Sequence, residues 1–299
     1  TILSLASSEL GEWDQALETA HAAADLYREL KDRDPDTFLP GFAMSLNNYA
    51  TMSSRLGKRE AALVTSGEAV KVFRQLALSQ PAAFEAKLAA ALVNHSAIVS
   101  PLGPSEATLS VAREAVQFYR RLDPNGDTVG LAKALSNYAS TLSAVGQFEP
   151  ALVASRDAVD GLLRLAQIRP DQYRANFAMA LSNFSQRLAD VGQREAALAA
   201  AREALDIRRQ LACANPGQSL PDLATSLAVL GQITDDPTES IALFHEAITQ
   251  LRPLFLQLPQ AHSSLMTKLG RSYLELCQAY STAPDPALLA LITEKLQPR

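Results

Sequence analysis

The sequence predicts an all-α protein, an array of stacked antiparallel helix pairs. Composition and an internal repeat predict it. Alanine fills 51 of 299 positions, glycine only 13, and aromatics make up 6%. Alanine is the best helix former and carries no branched bulk. Such a chain can hardly fill a large sheet-based core, but it lets many helices pack closely. Three ladders with one period then run along it. Glycines stand at Gly11, Gly57, Gly103, Gly146 and Gly192, spaced 46, 46, 43 and 46. Prolines stand at Pro35, Pro81, Pro124, Pro170, Pro216 and Pro259, spaced 46, 43, 46, 46 and 43. Asparagines stand at Asn48, Asn94, Asn137 and Asn183, spaced 46, 43 and 46. A fixed period of this size marks a repeat whose units bury their apolar faces against one another.

Each unit reads as two helices. The first is seen in Ser45–Leu56 and in Ala180–Val191. In the latter, Leu181, Phe184, Leu188 and Val191 are spaced by three and four, which marks one helical face. The ladder glycine ends that helix, where the chain must enter a left-handed conformation. The second helix opens at residues 59–70 and 194–205, with Glu60, Glu106, Glu149 and Glu195 in its first turn. A carboxylate there meets the positive end of the helix dipole. Pro150 is also placed in that first turn, where a missing N–H costs little. The helix runs about five turns and stops before the ladder proline, which cannot continue it. Small residues recur at Ala50, Ser96, Ala139 and Ser185, then at Ala62, Ala107, Ala151 and Ala197, then at Ala69, Ala115, Ala158 and Ala204. They let paired helices approach to about 8 Å.

The units are not identical. The third carries Pro101 and Pro104 around Gly103, which stiffens its turn. The sixth has Asp235 and Val229 in the glycine and asparagine places, and Pro253 predicts a kink or an early end in its second helix. His262–Tyr280 and Pro286–Leu296 read as a degenerate terminal pair. Only ten residues precede Gly11, too few for a full first helix. With Thr1 as the opening residue, this suggests a piece of a larger protein.

A small residue, glycine seven later, alanine five after that and alanine seven later again form a pattern. It stands at Ala139, Gly146, Ala151 and Ala158, and at Ser185, Gly192, Ala197 and Ala204. It resembles the tetratricopeptide repeat. The longer period here, with "SLNN" at Ser45–Asn48 and "PDLATSL" at Pro221–Leu227, resembles the kinesin-light-chain type. The resemblance covers nearly the whole chain. It implies a right-handed superhelical solenoid whose first helices line a concave groove. It also implies repeats at about 1–37 (truncated), 38–83, 84–126, 127–172, 173–218, 219–260 and 261–299 (a C-terminal cap), making residues 1–299 a single array.

In that groove the resemblance implies a bound peptide or partner helix. The first-helix residues assigned to it are Asn47, Asn48, Thr51, Arg55, Asn94, Lys133, Asn137, Ser140, Asn183 and Gln186, with Ala97, Ser136 and Ser182 among them. An amide offers donors and an acceptor, so an asparagine row can pair with a peptide backbone of any sequence. Equally, each amide can bond a neighbouring helix within the array. Both readings stay open at this stage. Only Arg55 and Lys133 bring positive charge, which disfavours a clamp for carboxylates.

Other function classes find little support. The net charge is −5, with Lys+Arg 27 against Asp+Glu 32, and basic runs are short, such as Arg208–Arg209. That predicts no nucleic-acid partner and disfavours an RNA-reading helical repeat. His21, His95, His245 and His262 lie in different units without metal-ligand spacing. His95 takes the place of Tyr49, Tyr138 and Phe184 and reads as a packed, partly buried ring. Asp235 and Asp236 read as helix-entry residues, and Cys213 and Cys277 as buried small hydrophobes. No phosphate-loop or nucleophile-elbow motif is present. The expectation is no enzyme, no cofactor and no metal. Two cysteines make no disulfide framework, no run reaches the ~18 apolar residues of a membrane span, and no signal peptide opens the chain. A cytoplasmic setting follows, with self-association through unpaired terminal units as an option. The chain is then a protein-recognition module, either the sensing arm of a multidomain protein or a free-standing adaptor.

Overall fold

The computed structural model describes residues 13–100, 103, 105–123, 129–257 and 259–295. Gly11, Pro101, Pro104 and Pro124 lie outside them. All regular structure among the described residues is helical. In chain order the helices are α1 (Trp13–Arg33), α2 (Pro35–Arg55), α3 (Arg59–Ser79), α4 (Pro81–Val99), α5 (Glu106–Leu122), α6 (Val129–Ala144), α7 (Phe148–Ile168), α8 (Pro170–Asp190), α9 (Arg194–Ala214), α10 (Pro216–Ile233), α11 (Pro237–Gln257), α12 (Pro259–Ala279) and α13 (Pro286–Lys295). Residues 1–161 and 162–299 form two compact units. In the first, α1 to α6 pack in succession, and α4 also touches α2 and α6. In the second, α8 to α12 do the same, with α10 against α8 and α12, and α13 against α11.

Two joints explain the period. The ladder glycines are the C-terminal stops of the first helices. Gly57, Gly146 and Gly192 have φ of 71°, 79° and 77°. The N–H groups of Lys58, Gln147 and Gln193 reach back to the carbonyls of Ser53, Leu142 and Leu188 at 2.8, 2.9 and 2.9 Å. This is the Schellman closure, which satisfies otherwise orphaned carbonyls. The other joint is one residue long. Asp34, Gln80, Arg169 and Asn215 hold φ between −146° and −137° with ψ between 72° and 87°. The following proline bars them from the α region. The proline therefore ends one helix and opens the next as its first residue, where it gives up no hydrogen bond. First helices consequently begin ten residues before the predicted Ser45 and Ala180, at Pro35 and Pro170. Two 21-residue helices, a three-residue turn and a one-residue corner make the 46-residue period.

The small residues sit at the helix contacts. Ala50, Ser96, Ala139, Ser185, Ala62, Ala151 and Ala197 are all at most 1% exposed. Leu46, Leu92, Leu142 and Leu227 on the first helices are buried as well. Each such burial stabilises by about 1.5–3 kcal/mol before ordering costs are set against it.

Three expectations are corrected. Ala107 is exposed, and Thr108 takes the buried small-residue place. Thr108 follows its ladder glycine by five positions, as Ala62 and Ala151 do, whereas Ala107 follows by four. Pro253 does not end its helix, since α11 runs on to Gln257. Pro253 and Thr249, the residue whose carbonyl loses a donor, are both exposed, so water can serve that oxygen. Cys277 is buried as expected, but Cys213 is exposed. Ala212 takes the inward place beside it.

One contact differs between the units. In the first, the Tyr27 ring lies over Gly41 and the Tyr119 ring over Gly130. A Cβ at these glycines would come 2.3 and 2.2 Å from the ring. In the second, the same two repeat positions hold Arg208 and Asp222, paired at 2.7 Å. Arg208 is 5% exposed and its Nε has no partner, so it is no part of a basic surface run. Burial depresses its pKa, and the Asp222 carboxylate works in the opposite direction.

Candidate interaction groove

The candidate residues ride on first helices that open at a ladder proline in α2, α4 and α8 and are followed by a ladder glycine. Position along the helix therefore fixes which face a residue takes. In the first unit, α2, α4 and α6 bring Asn47, Asn94 and Asn137 onto neighbouring helices. Asn94 Nδ2 donates to Asn47 Oδ1 at 3.1 Å. Asn137 Nδ2 donates to the Val93 carbonyl at 3.1 Å and to Ser96 Oγ at 3.0 Å. These amides thus stitch first helix to first helix while staying half-buried. Asn137 uses its N–H donors in this way and keeps its oxygen. Asn48 lies one residue along from Asn47 and is also half-buried.

Hydroxyls on this face follow the same rule. Thr51 donates to the Asn47 carbonyl at 2.9 Å and Ser140 to the Ser136 carbonyl at 3.0 Å. Their oxygens remain as acceptors. Met44, Arg55, Ala97 and Lys133 are exposed. In the second unit, Asn183 and Gln186 are half-buried on α8. Its first helices are linked by hydroxyls, Ser182 to Ser226 at 3.4 Å. Ser136 and Ser182 are buried and so belong to the packing.

The second helices are tied differently. Arg74 pairs with Glu114, and Arg120 with Asp157 at 2.9 Å. In the second unit Arg209 reaches Glu246 at 3.0 Å and Arg202 reaches Glu239 at 3.5 Å. Arg74, Arg120 and Arg209 each stand 17 residues after a ladder glycine. Glu114 and Asp157 stand 11 after the next one. The ion-pair ladder thus shares the period of the glycines and is written in the sequence at charged surface positions.

The remaining titratable groups are scattered. His95 is half-buried, its Nδ1 lies 2.8 Å from Ser66 Oγ, and burial followed by the Arg74 charge lowers its pKa. His21 packs edge-on against Tyr49, and His245 against Tyr273. Asp236 caps α11 by accepting from the Thr238 N–H at 2.9 Å. Asp235 pairs with Arg194. Among the described residues no group of three His, Cys, Asp or Glu is placed to hold a metal, and no helix is long and apolar enough to cross a membrane.

A tetratricopeptide repeat model matches residues 177–212, which span most of α8 and α9, one glycine-turned helix pair. The fold is that of a tetratricopeptide-type repeat array. A model for anaphase-promoting complex subunit 5 matches residues 2–78. No curated protein matches the sequence. Among solved structures, BtubC (BKLC) from P. vanneervenii is similar at 15% identity and a TM-score of 0.57, over 92% of this chain and 94% of that one. A Rap protein complexed with Competence and Sporulation Factor is similar at 11% and 0.50, over 91% and 73%. The TPR2AB domain of yeast Sti1 in its pHSP90 complex aligns at 14% and 0.32, over 92% and 96%. At these identities the likeness is one of fold.

Proposed function

We propose that this array is a protein-recognition module whose first helices line a concave groove for an extended peptide or a partner helix. In this reading residues 1–299 form one right-handed array with the repeat boundaries given above. Its 46-residue units are of the kinesin-light-chain type. It is the non-catalytic, cytoplasmic recognition or regulatory part of a larger multidomain protein, with a free-standing adaptor as the alternative. One contrast carries the groove assignment. Neighbouring second helices neutralise one another through ion pairs, whereas in the first unit neighbouring first helices are joined by amides, and the Thr51 and Ser140 hydroxyls beside them donate within their own helices and keep acceptor oxygens available. A face with spare acceptors, small side chains and exposed Met44 and Lys133 suits a backbone with free N–H groups. The Rap protein of similar fold, complexed with its factor, supports an occupied array in principle.

Site-specific photocrosslinking tests it. A benzophenone side chain at Met44 or Lys133 should crosslink a partner from native extract, and one at Val64 or Val153 on second helices should not. Crosslinks to Val64 or Val153 alone would place the interface elsewhere.

A further inference from the structure

The second unit holds a cavity of about 460 Å³ between the C-terminal turns of α10 and α12, with α11 beneath. Phe244, 2% exposed, lies in its lining, with Gln232, Ser272, Glu275, Tyr280 and Asp235. Ser272 stands 13 residues after its ladder proline, the place of Asn48, Asn94, Asn137 and Asn183. Glu275 stands 16 after it, the place of Thr51, Ala97, Ser140 and Gln186. The cavity therefore opens on the same first-helix face as the candidate groove residues. At this place alone the repeat position carries a carboxylate.

Its described lining residues carry carboxylates and no Lys, Arg or His. The exposed Arg271 lies one turn before Glu275 on α12. Asp235 is already paired with Arg194, which reaches it from α9. Glu275 is exposed and makes no ion pair or hydrogen bond among the described residues. The last turns of α10 and α12 add the negative ends of two helix dipoles. The opposing N-terminus of α11 is capped by Asp236, which accepts from the Thr238 N–H at 2.9 Å and, through its carbonyl, from the Ser240 N–H at 2.8 Å. Tyr280, 52% exposed, offers an aromatic face beside the carboxylate.

We infer that this cavity takes an arginine side chain of a bound partner segment. The guanidinium pairs with Glu275 and stacks on Tyr280, and its stem runs toward Phe244. A planar, weakly hydrated cation with a fork of donors matches a carboxylate and an aromatic face together better than a compact ammonium does. The inference deepens the groove reading and rests on it, since the arginine is delivered by a segment lying along the first helices.

The test uses N-acetyl-arginine amide as probe and its citrulline analogue as the neutral isostere, followed by NMR on the full chain. The arginine amide should move the signals of Ser272, Glu275 and Tyr280, with affinity roughly tenfold above that of the citrulline amide. Glu275→Gln should remove most of that difference. Ala279→Arg, an exposed change that sets a tethered cation at the cavity wall, should abolish the shifts. Equal binding of the two amides, indifference to Glu275→Gln, or shifts mapping elsewhere would overturn the inference. The titration needs no partner protein, so its failure leaves the crosslinking result standing, and the reverse holds as well.

Discussion

The seam between a second helix and the next first helix is built in more than one way. At two seams of the first unit it is aromatic on glycine, Tyr27 over Gly41 and Tyr119 over Gly130, while the α3–α4 seam holds Phe73 and Lys87 in these slots. At the α9–α10 seam of the second unit the same positions hold a guanidinium and a carboxylate, Arg208 and Asp222. The two pairs occupy the same slots, 16 residues after a turn glycine and six after a ladder proline. The aromatic version removes apolar area from water and buries no charged side chain at these two slots. The ionic version buries Arg208 against a carboxylate that is 54% exposed and leaves Nε without a partner. The backbone geometry of the repeat therefore specifies a contact of a given size, and the chemistry filling it is free to change.

The largest effect should come from breaking the ionic version on one side. Asp222→Ala leaves a buried guanidinium without its carboxylate. Fully buried pairs broken in this way lose about 3–5 kcal/mol, and the half-exposed carboxylate lowers the expectation here to about 2 kcal/mol. Replacing both partners, Arg208→Tyr with Asp222→Gly, rebuilds the first unit's contact. It should restore stability to the wild-type level or raise it by about 1 kcal/mol. Urea midpoints for the three proteins decide the matter. A double variant as unstable as Asp222→Ala would show that the two seams are not interchangeable.

A smaller effect should separate two glycines at the second position of their helices. At Gly130 a Cβ would lie 2.2 Å from Tyr119, so Gly130→Ala must displace the ring. At Gly217 of α10 nothing lies within 4 Å, so Gly217→Ala meets open space. Gly130→Ala should destabilise by about 1 kcal/mol, because overpacking outweighs the entropic gain from replacing glycine. Gly217→Ala should be neutral or stabilise by about 0.5 kcal/mol. Equal melting temperatures for the two variants would argue that the ring over Gly130 is not a constraint.

Much of this fold was legible before the structure. A positive φ that only glycine adopts freely and a proline that cannot sit inside a hydrogen-bonded turn leave marks at fixed intervals, and Gly57, Gly146, Gly192, Pro81 and Pro170 reported both joints. Less legible was what depends on register within one turn. Thr108 and Ala107 are adjacent, similar in size and opposite in exposure. Cys213 and Ala212 repeat the same ambiguity. Arg208 reads as half of a basic run with Arg209, and only the fold reveals that one points inward to Asp222 and the other outward to Glu246. For the candidate groove, the amide row was legible, but its donors were not. Whether Asn137 faces a ligand or the Val93 carbonyl depends on the distance between neighbouring first helices, which no single helix encodes.

The comparison extends to a second aromatic slot, with the smallest effect. Tyr49, Tyr138 and Phe184 share a repeat position with His95, which packs near Gly67 and contacts Ser66. Burial first and the Arg74 charge second hold its pKa below the ordinary value of 6.5. The unfolded chain then takes up the proton at higher pH than the folded one. Stability is fully present above pH 6.5 and falls as the pH drops toward the folded-state value, because there the unfolded state binds more protons. His95→Tyr installs the aromatic of the other repeats and removes this contribution. Carboxylates and the other histidines titrate in both proteins, so the difference between them isolates His95. Melting temperatures compared above pH 6.5 and about two units below it should diverge, with the wild type losing more on acidification. Parallel acid profiles would mean that the imidazole gains its proton in the fold as readily as in the open chain, and that this slot, unlike the one filled by Arg208, tolerates charge without cost.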